Sequence, residues 1–189
     1  RDLQTNWEGR SGPAEWKTFC HRITANHTGD IHTKESFGDC QLHLEFRTPT
    51  NEKDKTGQGK GNSGVYFQGL YEVQVLDSYE NETYYNGQAG SIYKQSAPLV
   101  NSSRKPGKWQ VYDIIFHAPR FKSDGALEQP ASLTVLHNGV LIQDHFILKG
   151  ASVYAGYPKY VAHGDAPLLL QDHGNPVKYR NIWIRRLSD

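Results

Sequence analysis

Asn62-Ser-Gly-Val-Tyr-Phe-Gln-Gly-Leu-Tyr-Glu-Val-Gln-Val-Leu-Asp-Ser78 reads as two strands joined by a tight connection near Gly69. Tyr71 to Val75 alternate with a period of two, which sets Tyr71, Val73 and Val75 on an apolar face and Glu72 and Gln74 on the other. The apolar face is expected in the core. Strict alternation would turn Asp77 away from Glu72, but one bulge after Val75 would return it to the same side. A polar row of Glu72, Gln74 and Asp77 results. Alternate residues of a strand lie roughly 6.6 to 7 Å apart, so the outer two carboxyls can face a sugar ring from both ends. A solvated strand face carries the same residue types, and both readings stand on this stretch alone.

Outward from this hairpin the chain reads as β throughout. In Cys40-Gln-Leu-His-Leu-Glu-Phe-Arg47 the apolar positions alternate with Gln41, His43, Glu45 and Arg47, a half-buried strand whose polar face either lines a cleft or meets solvent. Ile31 to Lys34 suggests the strand before it, and Trp7, Trp16 and Phe19 suggest anchors that dock an N-terminal segment. Thr48 to Gly61 is a polar, lysine- and glycine-rich loop, either a lid or mobile surface. Two tyrosine-rich loops follow, 79–106 and 150–164. Tyrosine suits sugars, because the ring stacks on a pyranose while the hydroxyl makes hydrogen bonds. Between them, Trp109 to His117 alternates as a strand, and His137-Asn-Gly-Val140 supplies the Asn-Gly pair of a type I′ hairpin, with His137 and His145 expected at the surface. His173 ends a buried strand at Gly174, either as a cleft-facing base or as a turn cap. No capping box leads into a helical apolar stripe. The expected architecture is all-β, an antiparallel two-sheet sandwich.

Composition excludes several classes. With 21 basic and 20 acidic residues among 189, the net charge of +1 provides no field for nucleic acid or an anionic membrane. No apolar run nears the roughly 18 residues of a membrane span. Length fits a single domain over 1–189. The absence of methionine suggests that the chain starts after a removed signal segment or inside a longer protein, hence a secreted or periplasmic location. Cys20 and Cys40 form either one disulfide or two thiols, too few for a four-ligand zinc site.

Four blocks, Asp39–Arg47, Gly61–Ser78, Trp109–Phe121 and Leu170–Arg185, run in order across the chain and resemble the 3-keto-disaccharide hydrolase domain family of mostly bacterial secreted proteins. That resemblance implies a concanavalin A-like jelly-roll fold of the lectin and glucanase type, and glycosidic-bond cleavage in 3-keto-glycosides. The hairpin is also similar to the bulged Glu-x-Asp-x-x-Glu strand of laminarinase-type glucanases, whose acidic positions match Glu72, Gln74 and Asp77 here. Gln74 cannot be an acidic helper, which argues against ordinary double displacement. A 3-keto glycoside offers elimination instead, because the ketone acidifies the hydrogen at C2. This route needs a base near C2, an acid near the glycosidic oxygen and a donor or cation at the ketone. The candidate catalytic residues are Glu72, Asp77 and His173, with His173 or Glu72 as base and Asp77 or Glu72 as acid. The candidate substrate-binding residues are Arg47, Asn62, Tyr66, Gln68, Gln74, Tyr93 and Tyr157, with Gln74, Arg47 or a bound cation placed at the ketone. No linear motif demands a cofactor; Ca²⁺ or another divalent cation suits the fold. A non-catalytic carbohydrate-binding module and a laminarinase-like glycosidase are the alternatives.

Overall fold

The computed structural model describes residues 2–187. In chain order its strands are β1 (Trp7–Gly9), β2 (Gly12–Pro13), β3 (Lys17–Phe19), β4 (Arg22–Thr24), β5 (Ile31–Phe37), β6 (Cys40–Arg47), β7 (Ser63–Phe67) and β8 (Tyr71–Val75). They continue as β9 (Gln110–His117), β10 (Arg120–Phe121), β11 (Leu127–Gln129), β12 (Ser132–His137), β13 (Val140–Ile147), β14 (Ala166–Leu170) and β15 (Lys178–Arg186). Helical structure among the described residues is limited to three single 3₁₀ turns.

Two antiparallel sheets make the sandwich of a jelly roll. The front sheet has the order β2-β1-β5-β14-β7-β8, the back sheet β13-β12-β9-β6-β15-β4-β3, and β10-β11 form a small separate hairpin. Alternation decides what lies between the two large sheets. Leu42, Leu44 and Phe46 of β6 and Tyr112, Ile114 and Phe116 of β9 project inward from the back sheet, and Val65, Phe67, Tyr71, Val73 and Val75 from the front one. Their rings meet across the gap, with Phe67 and Phe116 stacked at 4.8 Å between centroids.

The expected hairpins form where turn chemistry demanded them. Asn138 and Gly139 both have positive φ, as a type I′ turn requires, and link β12 to β13. Gln68 and Gly69 also have positive φ and turn β7 into β8. Several residues differ from expectation. Phe19 is exposed and lies under the Arg22 guanidinium, whereas Trp16 is the buried anchor, its indole N–H donating to the Gly29 carbonyl. His137 is a core residue, 1 % exposed, with Nε2 on the Gln110 side-chain oxygen at 2.8 Å. Burial lowers its pKa to about 4, so it packs as a neutral ring. Cys20 and Cys40 are both free thiols.

Candidate functional site

On the outward face of the front sheet, Tyr66 stands directly opposite Glu72 and Gly64 opposite Gln74. Gly64 is what lets the carboxyl and the phenol share that space. A Cβ there would lie 2.5 Å from Glu72 Oε1 and 2.7 Å from the Tyr66 ring. Strand β8 is the last of its sheet, and its outer edge would be a row of unpaired backbone groups. Loops cover it. Tyr93 N–H donates to the Glu72 carbonyl at 3.1 Å and Gln74 N–H to the Ser91 carbonyl at 3.0 Å, while Glu72 N–H donates to Ser152 Oγ at 2.9 Å. These bonds stitch both tyrosine-rich loops to the edge and raise a wall of Tyr84, Tyr93 and Tyr154. The wall, the hairpin and the segment after β14 enclose a cavity of about 380 Å³.

Glu72 is the chemical centre of this cavity. It is 3 % exposed, and burial pushes its pKa up to about 7, partly offset by a hydrogen bond from Tyr66. Burial and the nearby Glu72 charge raise the Tyr66 phenol, which therefore stays protonated as that donor. On the facing wall the Tyr84 and Tyr93 hydroxyls are 2.7 Å apart, and Lys94 Nζ lies 3.9 Å from the centre of the Tyr84 ring. His173 lines the rim. Its loop is shaped by Asp172, whose carboxylate accepts from Gly174 N–H at 3.1 Å and from Gly29 N–H at 3.3 Å.

Of the residues expected from sequence, Glu72, His173, Asn62, Tyr66, Gln74 and Tyr93 line this cavity together. Asp77 does not. Strand β8 ends at Val75, no bulge returns Asp77 to the row, and its carboxylate is buried 3.2 Å from Lys60 Nζ, where Tyr79 N–H also donates to it. Lys60 contact is an ion pair rather than an aligned hydrogen bond. Arg47 belongs to the other sheet and lies 4.9 Å from the centre of the Trp109 ring. Gln68 is spent on the Phe37 carbonyl at 3.0 Å. Tyr157 is 92 % exposed and away from the cavity. Gln74 reaches the cavity but not as a donor to a ketone, since its Nε2 already donates to Gln58 Oε1 at 2.9 Å and the Gly87 carbonyl at 3.2 Å.

Gln58, Ser152 and Gln171 line the cavity without having been singled out. Gln171 lies two residues from His173, the one local signal for it; Gln58 and Ser152 arrive through loop placement. The loop 48–61 brings Gln58 to the cavity and is anchored by its own Glu52, which is buried and accepts from Gly61 N–H at 2.7 Å and Asn175 Nδ2 at 2.6 Å.

As for a cation, Glu72 is the one carboxylate lining the cavity among the described residues, and no cluster of three or more His, Cys, Asp or Glu side chains among them could hold a metal. Any cation held here would therefore rest on Glu72 together with neutral amide, carbonyl or hydroxyl oxygens, which Ca²⁺ also accepts.

Comparison with known proteins agrees with this architecture. A crystal structure of a protein from Parabacteroides distasonis, provisionally named a glycosyl hydrolase, superposes with a TM-score of 0.95 at 49% identity, covering 99% of this chain and 80% of that one. A second protein of that organism with the same provisional name superposes at 0.69 and 20% identity, covering 97% and 89% of the two chains, and shares the fold. No curated protein matches the chain. The sequence profile of the 3-keto-α-glucoside-1,2-lyase-like domain matches residues 1–185, so the chain belongs to the 3-keto-α-glucoside-1,2-lyase-like domain family.

Proposed function

We propose that the protein cleaves 3-keto-glycosides by elimination across C1 and C2, with Glu72 as the base. The observation that carries this reading is a buried carboxylate, the only one lining the tyrosine-walled cavity among the described residues, held at a pKa of about 7. Retaining and inverting glycosidases both use two carboxyl groups at the scissile bond. Here Asp77, the natural second carboxylate, is committed to Lys60 outside the cavity. An α-proton abstraction needs only one base, and a base poised near neutrality suits it.

Glu72 takes the proton from C2, acidified by the adjacent C3 ketone. The C2–H electron pair becomes the C1=C2 double bond and the C1–O bond breaks. His173 gives a proton to the departing glycosidic oxygen, leaving an alcohol and a 1,2-unsaturated 3-keto sugar. Charge developing on the ketone oxygen is met by the Tyr84–Tyr93 pair: two hydroxyls carry two protons, one bridges them, and the other is left to donate outward. Water adding across C1=C2 would then release the free 3-keto sugar. Tyr154, at the mouth, offers a ring for the leaving sugar.

Matched substrates test the proposal: a 3-keto glucoside and its unoxidised parent, each given to the protein and to Glu72→Gln. The expected result is cleavage of the keto compound alone, reduced about 10²- to 10⁴-fold in the variant, the usual contribution of a general base. Cleavage of the unoxidised parent at a comparable rate would refute elimination. Glycan binding by both proteins with cleavage by neither would favour a binding module.

A further inference from the structure

Gln74 and Gln171 both line the cavity beside Glu72, and each ends in a buried carbonyl oxygen, Oε1, with no hydrogen-bond partner among the described residues. Gln74 is itself 1 % exposed. The orientation of an amide has to be argued from its neighbours. Gln74 Nε2 has two acceptors, Gln58 Oε1 and the Gly87 carbonyl. Gln58 is fixed in turn, because its own Nε2 donates to Thr83 Oγ1 at 3.1 Å and to the Gly87 carbonyl at 2.9 Å. Turning Gln74 around would press its oxygen against two acceptors. At Gln171, Nε2 donates to Tyr66 Oη at 3.3 Å, and Tyr66 passes its own proton towards Glu72. Reversal there would set one acceptor against another.

Buried carbonyls without partners are rare in folded proteins, because leaving an acceptor unfilled away from water is costly. Among the described residues four glutamine carbonyls are in this state, those of Gln68, Gln74, Gln88 and Gln171; the two that line the cavity, Gln74 and Gln171, share it with Glu72, its only carboxylate among the described residues, and there a ligand can complete them. We infer that Gln74 and Gln171 are the specificity-determining pair of this cavity, each accepting the proton of one hydroxyl of the bound sugar ring. This inference rests on the saccharide reading above and narrows it. The ligand class is a pyranose that keeps at least two free hydroxyls beside its reacting carbons. A ketone oxygen is itself an acceptor and is turned away from both amides, which leaves it the wall of Tyr84 and Tyr93. The pair thus orients the ring as well as selecting it.

On a 3-keto glucoside the hydroxyls available to the pair are those at C2, C4 and C6. The test compares kcat/KM for the parent and its 2-, 4- and 6-deoxy forms with the unaltered protein, Gln74→Met and Gln171→Met. Methionine keeps the length of glutamine without the acceptor. At least two deoxy forms are expected to lose about tenfold or more with the unaltered protein, since a site built for a hydroxyl rejects the analogue without it. Each of those losses should shrink to under about twofold in the one variant that lacks the matching acceptor. Fewer than two sensitive positions, or losses equally large in both variants, would overturn the inference. The deoxy series on the unaltered protein decides the matter alone if either variant fails to fold. Should the parent show no turnover, the proposed chemistry fails separately. Dissociation constants for the same sugars on Glu72→Gln then test the amide pair, with the same positional pattern supporting it and uniform affinities overturning it.

Discussion

Glu72 illustrates how much of a site a few neighbours can decide. Alternation along Tyr71–Val75 is enough to aim it away from the core, and Gly64 and Tyr66 on the partner strand give it room and a hydrogen bond. Its elevated pKa was not legible in sequence, because it arises from two loops that close over the β8 edge. The consequence is measurable. Burial makes the carboxyl hold its proton more tightly in the folded protein, so the associated stability is complete below pH 4.5 and is lost as pH rises through about 7. The interval between 4.5 and about 7 corresponds to about 3 kcal/mol. Glu72→Gln, which does not titrate, should therefore gain on the unaltered protein by up to about 3 kcal/mol between pH 4 and pH 8 in urea unfolding. A constant difference across that range would show that the carboxyl is not held neutral by burial. The role as base gives the opposite trend in catalysis, a limb of kcat/KM that rises with pH towards about 7 as Glu72 loses its proton, with the need for a protonated His173 setting the opposing limb.

At the scale of elements, the segments around the hairpin matter as much as the hairpin. The loop 48–61 looked mobile because its composition is polar and rich in glycine. Buried Glu52 anchors it at one point while residues 53–56 stay exposed, and sequence cannot reveal that Asn175, more than a hundred positions away, supplies its partner. Asp77 was misplaced for a related reason. The bulge that would have aligned it with Glu72 was a geometric option, whereas Lys60, whose backbone carbonyl accepts from Asp77 N–H at 3.1 Å, supplies an electrostatic preference. Asp77→Asn is expected to lower stability by about 1–3 kcal/mol through the loss of this pair, while kcat/KM stays within about threefold. A variant as inactive as Glu72→Gln yet fully stable would return Asp77 to the chemistry. Where local chemistry is compelling, sequence sufficed: Asn138-Gly139 had to turn, and the alternation in β6 and β9 had to build a core face.

Across the whole molecule, the jelly roll converts distant segments into one concave surface. Residues near 58–62, 66–74, 84–93, 152–154 and 171–173 meet only because β14 pairs with β7, and because the loops after β8 and β13 fold back over the edge of the front sheet. The sandwich was readable from strand patterning, since each half-buried strand needs a second sheet to cover it. Which loops would meet was not, because non-local closure leaves no periodic trace in the chain. This arrangement places one proton-accepting carboxylate, Glu72, among hydroxyl and amide groups, and elimination at C2 is the central claim built upon it. A 3-keto glucoside carrying deuterium at C2 tests that claim directly, with the product analysed by mass spectrometry and unreacted substrate as the control for spontaneous exchange. Elimination predicts that the sugar product loses its C2 deuterium to solvent at the rate of cleavage, with turnover slowed by the isotope. A product that retains the C2 deuterium would contradict the account and point to direct displacement at C1.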